Sequence, residues 1–155
     1  MSKFQDKYRI ESNRLAGFDY SQSFWYYVTV CTNNKICYFG KINNSKCILN
    51  LYGKILEEEI LYTQKLKKAE VDSFVIMPNH FHAIIIPESK IFLGTIMGQI
   101  KSITTKRIVK EGLKEFKWQS NYYEHIIRNE IDLYRIQKYI ELNPLQWELD
   151  EYFNL

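Results

Sequence analysis

His80-Phe81-His82 places two of the chain's three histidines at alternate positions. On an extended strand, side chains two residues apart share a face and stand about 6.6–7 Å apart along it, so both imidazoles can approach one ion while Phe81 points the other way. Two imidazoles make an incomplete metal site, and further donors must come from elsewhere in the chain. Imidazole donors alone favour zinc or another transition metal. The plainer reading is two unrelated polar positions on a half-exposed strand.

Tyr139 and Asn143 are the second constellation, within Tyr139-Ile140-Glu141-Leu142-Asn143-Pro144. A spacing of four places a phenol and a carboxamide on one helix face, beside the buried stripe. A tyrosine hydroxyl titrates near 10, so as a nucleophile at neutral pH it needs a base or nearby positive charge. The competing reading makes Tyr139 one tyrosine among twelve. Asn143 then simply ends the helix, because the residue before a proline is pushed out of the α region.

The elements that must position these residues follow from periodicity. Phe24 to Cys31 is rich in aromatic and β-branched residues and too short for a buried helix, which predicts a central strand ended by Thr32-Asn33-Asn34-Lys35. Tyr38 to Ile42 and Cys47 to Leu49 flank Asn43-Asn44-Ser45-Lys46 as a small hairpin. From Asn50 as N-cap, Tyr52, Ile55, Leu56, Ile60, Thr63 and Leu66 fall on one helical face. Val71 to Met77 and His80 to Ile86 read as strands joined by the turn dipeptide Pro78-Asn79.

A second long helix follows, with Leu93, Ile96, Met97, Ile100, Ile103, Thr104 and Ile108 at helical spacing up to a stop at Gly112. Its Lys101, Ser102, Lys106, Arg107 and Lys110 form a basic, hydroxyl-bearing face suited to phosphates, or else an ordinary solvated face. Tyr122 to Ile127 is another strand. Asn129, with Asp132 three residues on, opens a last helix whose stripe is Leu133, Ile136 and Ile140 and which Pro144 ends. This order predicts an α+β fold: a ferredoxin-like, split βαβ antiparallel sheet with helices on one face and an extra C-terminal helix carrying Tyr139. Many functions share that topology.

At 155 residues the chain reads as one domain, 1–155, with a basic, polar leader over residues 1–20. Hydrophobic residues at 46% and charged residues at 25% exclude disorder, collagen-like repeats and coiled coil. The net charge of +3 is too mild to announce a polyanion partner, although 15% aromatic residues suit base stacking. Cys31, Cys37 and Cys47 form no C-x-x-C pair and read as reduced thiols of a cytoplasmic protein. No signal-peptide segment is visible at the N-terminus, and the longest uncharged apolar stretch is far too short for a membrane helix.

Val75-Ile76-Met77-Pro78-Asn79-His80-Phe81-His82-Ala83-Ile84-Ile85, Trp118-Gln119-Ser120, Tyr123-Glu124-His125-Ile126-Ile127-Arg128-Asn129 and the Tyr139 to Pro144 run together resemble the REP-associated tyrosine transposases, which belong with the single-tyrosine transposases of the HUH (His-hydrophobe-His) superfamily. Leu15 to Gly40, with Phe18-Asp19-Tyr20-Ser21, is similar to that family's N-terminal segment.

The resemblance implies a metal-dependent nuclease and strand transferase acting on single-stranded DNA, with a hairpin near the cleavage site. Position by position, it makes His80 and His82 metal ligands and Tyr139 the nucleophile. Asn143 stands where relatives have Gln or Asn as a further ligand. The implied ion is Mg²⁺ or Mn²⁺, for which phosphate oxygens supply hard ligands. The implied chemistry is in-line attack of Tyr139 on a phosphate, giving a 5′-phosphotyrosine and a free 3′-hydroxyl without ATP.

Under the same resemblance, His125 and Arg128, with Glu124 where relatives have Asp, shape the site or hold a phosphate, the competing reading being a structural role. Relatives occur both as monomers and as dimers with shared sites, so a homodimer is admitted. An alternative of another class is a catalytically silent, single-stranded nucleic-acid-binding protein of the same fold. The RNP1 pattern of RNA-recognition domains is absent. A two-histidine phosphoesterase fails because His125 is followed by Ile126-Ile127 rather than an H-x-[ST] motif.

Overall fold

In the computed structural model, which describes residues 24–153, the aromatic run forms strand β1 (Tyr26–Cys31). The leader over 1–20 lies outside the described residues. A 3₁₀ turn (Asn33–Lys35) leads to a hairpin of β2 (Gly40–Asn43) and β3 (Lys46–Leu49). Its two-residue turn, Asn44-Ser45, has φ of 51° and 61°, the left-handed backbone that matches strand twist in tight hairpins. Gly40 is required where it stands: its φ is 156°, and a Cβ there would run into the Ile48 carbonyl.

Helix α1 (Leu51–Lys65) begins where the Asn50 side chain accepts from the Tyr52 and Gly53 backbone N–H groups at 2.9 and 3.0 Å. It buries Ile55, Leu56, Ile60 and Thr63, while Leu66, expected on that face, lies past the helix end and is exposed. Strands β4 (Ala69–Met77) and β5 (His80–Pro87) pair antiparallel around Pro78-Asn79, with Met77 opposite His80. Helix α2 (Leu93–Lys110) buries the expected stripe except Ile103, which is exposed. Strand β6 (Tyr123–Ile126) and helix α3 (Glu130–Leu142) complete the order, α3 being capped by Asn129 through the Asp132 N–H at 2.8 Å.

The four-stranded sheet runs β4-β5-β1-β6 with every pair antiparallel, the strand order of a ferredoxin-like split βαβ fold. The β2–β3 hairpin forms a separate two-stranded sheet. Alternation divides the faces. Tyr26, Val28, Val30, Phe81, Ala83 and Ile85 share one face and are fully buried. Phe81 packs edge-on against Trp118, whose indole N–H donates to the Lys101 carbonyl of α2, so this is the face that α1 and α2 cover. Truncating Phe81 to alanine would cost about 3–5 kcal/mol. Tyr27, Thr29, Cys31, His80 and His82 share the opposite face, which α3 approaches.

One local expectation fails. Asn143 precedes Pro144 yet keeps helical dihedrals, φ −57° and ψ −46°, because tertiary packing of its side chain outweighs the steric bias.

Candidate active site

Strand alternation brings the two imidazoles together as their spacing requires, with Nε2 of His80 and Nε2 of His82 3.2 Å apart. Both side chains are almost wholly buried, at 0% and 1% exposure. Each ring is held from behind. Asn79 donates its Nδ2 to the Lys35 and Tyr152 carbonyls, which leaves its Oδ1 to accept from His80 Nδ1–H at 2.7 Å. That bond places the His80 proton on Nδ1 and frees the Nε2 lone pair. His82 Nδ1 meets Thr29 Oγ1 at 2.8 Å and Tyr27 Oη at 2.9 Å.

Burial pushes His80 down to about 2, the neighbouring His82 adding to the effect and Asn143 opposing it. Burial likewise pushes His82 down to about 3. At neutral pH both rings are uncharged, the form that binds metals.

Tyr139 on α3 sets its ring edge-on to His82, centroids 5.2 Å apart, and remains 38% exposed. Burial, and after it the charge of Asp150, raise its hydroxyl above the ordinary tyrosine value, while a hydrogen bond from Asn143 works the other way. The hydroxyl is therefore protonated at rest. One turn further on, Asn143 is 2% exposed and adjoins His80, Tyr139 and Asp150. Its Oδ1 is buried without a hydrogen-bond partner.

Asp150 is the residue sequence reasoning missed. It follows a 3₁₀ turn (Trp147–Leu149), and its Oδ2 lies 3.8 Å from His80 Nε2, also without a hydrogen-bond partner. Donor atoms of His80, His82 and Asp150 all lie within 4.8 Å of one another. Leu149-Asp150-Glu151 has no motif that would have signalled this. Trp147 and Tyr152 pack on the His80 ring from the same segment, at centroid distances of 6.3 and 4.6 Å.

The donor set fits a cation. Two nitrogens 3.2 Å apart subtend about 100° at an ion with metal–nitrogen distances of about 2.1 Å. Asn143 Oδ1 and Asp150 Oδ2 are buried acceptors without hydrogen-bond partners, and leaving such acceptors unmatched costs about 1–3 kcal/mol each.

The remaining expected residues divide. His125 shares the histidine face, directly across from Tyr27, and its Nε2 meets Asp132 Oδ2 at 2.8 Å, tying β6 to the first turn of α3. Glu124 pairs with Val28 and so points to the opposite face, away from the histidines. Arg128, between β6 and α3, has a buried Nε without a hydrogen-bond partner.

The basic face of α2 is also on the far side of the sheet. Arg107 there donates to Glu59 and Glu58 of α1, both at 2.7 Å, so its guanidinium clamps two helices rather than standing free for phosphate. Lys101 donates to the Gln119 carbonyl at 3.0 Å. Ser102, Lys106 and Lys110 are exposed.

The split βαβ sheet thus sets a buried histidine pair against a tyrosine borne by α3. The family model "Transposase IS200 like" matches residues 21–143, and the chain belongs to that family. Membership implies DNA binding and transposition by enzymatic cleavage and joining. An uncharacterised protein of Haemophilus influenzae is 32% identical, covering 92% of each chain. The REP-associated tyrosine transposase of Escherichia coli K12 is 29% identical over 67% of this chain and 61% of its own length. A solved REP-associated tyrosine transposase bound to a REP hairpin superposes with a TM-score of 0.64 at 25% identity, covering 88% of this chain and 74% of that one. A crystal structure of a Deinococcus radiodurans R1 protein, at 16% identity and a TM-score of 0.56, shares the fold, covering 85% of this chain and 96% of that one.

Proposed function

We propose that the protein is a metal-dependent, single-stranded DNA endonuclease and strand transferase that uses Tyr139 as its nucleophile. The observation that carries this reading is the packing of the Tyr139 ring against His82, with Asn143 one turn further along α3. His80 and His82 would hold a Mg²⁺ or Mn²⁺ ion through Nε2, with the Asn143 oxygen beside them. When bound, the ion supplies Lewis-acid activation of the scissile phosphate and stabilises the departing 3′-oxygen.

The chain's own residues do the rest. Asn79 fixes the His80 tautomer, and Thr29 and Tyr27 orient His82. Helix α3 aims the Tyr139 hydroxyl. Loss of its proton and attack on phosphorus form a Tyr139–phosphate bond at the DNA 5′ end as the bond to the 3′-oxygen breaks, and that oxygen leaves with a proton. The phosphotyrosine keeps the bond energy for rejoining.

The substrate we propose is single-stranded DNA with a hairpin near the cleavage site, a partner that fits the hairpin-bound structural neighbour. Arg128, between β6 and α3, is the residue we take as a phosphate contact; its Nε is buried without a hydrogen-bond partner. We take residues 1–155 as one functional unit of the cytoplasm, able to act as a monomer or a homodimer. Among the described residues no helix is long and apolar enough to cross a membrane.

Burial of both histidines favours one alternative, a catalytically silent single-stranded DNA binder of the same fold. Labelled single-stranded hairpin DNA from the gene's own flanks, incubated with protein and Mn²⁺, separates the two. A covalent adduct lost in Tyr139→Phe and kept in Tyr134→Phe supports catalysis, since Tyr134 is on the same helix but 63% exposed. DNA binding with no adduct under any divalent ion supports the silent binder.

A further inference from the structure

Asp150 lies beyond residues 21–143, the segment that the transposase family model matches. Its side chain is 2% exposed. One carboxylate oxygen is accounted for, because Oδ1 accepts the Tyr152 backbone N–H at 2.8 Å. The other is not: Oδ2 has no hydrogen-bond partner and faces His80 Nε2 across 3.8 Å.

The His80 tautomer removes the ordinary explanation for such a pair. Asn79 donates both ways through Nδ2, so its Oδ1 takes the His80 Nδ1 proton, and His80 Nε2 presents a lone pair to Asp150 rather than a hydrogen. His82 Nε2 stands 3.2 Å from the same atom. The Asn143 Oδ1, also buried and unpartnered, adds a further acceptor. Donor atoms of His80, His82 and Asp150 thus gather within 4.8 Å of one another, with the Asn143 side chain adjoining His80 and Asp150, an arrangement that a cation at its centre would satisfy. Donor separations of 3.2 and 3.8 Å are within what two ligands of one ion span at metal–ligand distances of about 2.0–2.2 Å.

We propose that Asp150 is a ligand of the divalent ion, giving a two-histidine, one-carboxylate centre whose carboxylate comes from the segment after α3 rather than from the matched family region. This rests on the reading that His80 and His82 hold the ion. A carboxylate makes the donor set harder and anionic, favouring Mn²⁺ over softer ions that two imidazoles alone would prefer. It also anchors the segment carrying Trp147 and Tyr152 against the His80 ring.

The test is Mn²⁺ binding to the full chain without DNA, read from the loss of the free-ion electron paramagnetic resonance signal. Circular dichroism and thermal midpoints check the fold of each variant. Asp150→Asn keeps the side-chain shape and the Oδ1 acceptor, and is expected to weaken Mn²⁺ binding about tenfold or more. Asp150→His replaces one ligand type by another, and is expected to retain divalent binding with its preference moved towards Zn²⁺. Mn²⁺ affinity within about twofold of wild type in Asp150→Asn, with binding lost in His82→Ala, would overturn the ligand role and leave the histidine centre standing. Wild-type affinity in His82→Ala as well would remove the centre and this proposal with it.

Discussion

Asn79 and His80 are adjacent in sequence and joined side chain to side chain, Oδ1 to Nδ1, at 2.7 Å. The asparagine cannot be turned the other way without losing both carbonyls that its Nδ2 serves. It therefore sets which His80 nitrogen is available for chemistry, as the partners behind metal-binding histidines commonly do.

Asn143→Ala is expected to separate stability from activity. Removing the carboxamide deletes packing, but it also deletes a buried acceptor with no partner, a burden of about 1–3 kcal/mol. The thermal midpoint should therefore correspond to a stability change within about 1 kcal/mol. Cleavage should fall sharply and the Mn²⁺ concentration needed should rise. Asn143→Asp should retain metal binding with altered cleavage. Unchanged cleavage and metal response in Asn143→Ala would take the residue out of the catalytic set.

Acid should destabilise the metal-free protein through the histidines. Their folded values, about 2 and about 3, lie below the unfolded value near 6.5. Above pH 6.5 neither state binds their protons and nothing is lost. As pH falls from 6.5 towards 3 the unfolded chain takes up protons that the folded chain excludes, so stability drops by up to about 1.4 kcal/mol per pH unit for each ring. Denaturant unfolding in chelator from pH 8 to pH 5 reads this directly. His82→Gln should flatten the slope, and an identical slope in that variant would contradict the burial argument.

Two arginines should behave oppositely. Arg107 joins α1 to α2 through Glu58 and Glu59 on a partly exposed surface, so Arg107→Ala should cost no more than about 1 kcal/mol and leave DNA affinity unchanged. Arg128→Ala should weaken single-stranded DNA binding and reduce its salt slope by about 0.7, the loss of one phosphate contact. Fluorescence anisotropy across a salt series measures both, and the reverse pattern would restore α2 as the phosphate-binding face.

The parts of the site that depend on local geometry were legible in the sequence. Residues two apart on a strand and four apart on a helix must share faces, which is why His80 with His82 and Tyr139 with Asn143 were found. The Asn50 and Asn129 caps are equally local. Alternation also allows only one of Glu124 and His125 to face the histidines, but which one depends on β6 pairing with β1.

Long-range features had no such signal. Arg107 meets Glu58 and Glu59 only because two helices pack side by side, 48 and 49 residues apart in sequence. Asp150 reaches His80 because the chain turns back over the sheet after Pro144, and Asn143 stays helical before that proline because its side chain is buried beside His80. Neither fold-back nor burial is written in a spacing.

Mapping the covalent adduct tests the assignment of the nucleophile most directly. After cleavage of labelled hairpin DNA in Mn²⁺, trypsin cuts at Arg135 and Lys138 place Tyr134 and Tyr139 on different peptides, and Tyr139 begins the C-terminal one. That peptide also contains Tyr152, which fragmentation distinguishes. The expected result is a phosphodiester from Tyr139 to a DNA 5′ end, with a free 3′-hydroxyl on the released strand. An adduct on Tyr134 or Tyr152, a link to a DNA 3′ end, or cleavage that proceeds without any adduct would contradict the mechanism.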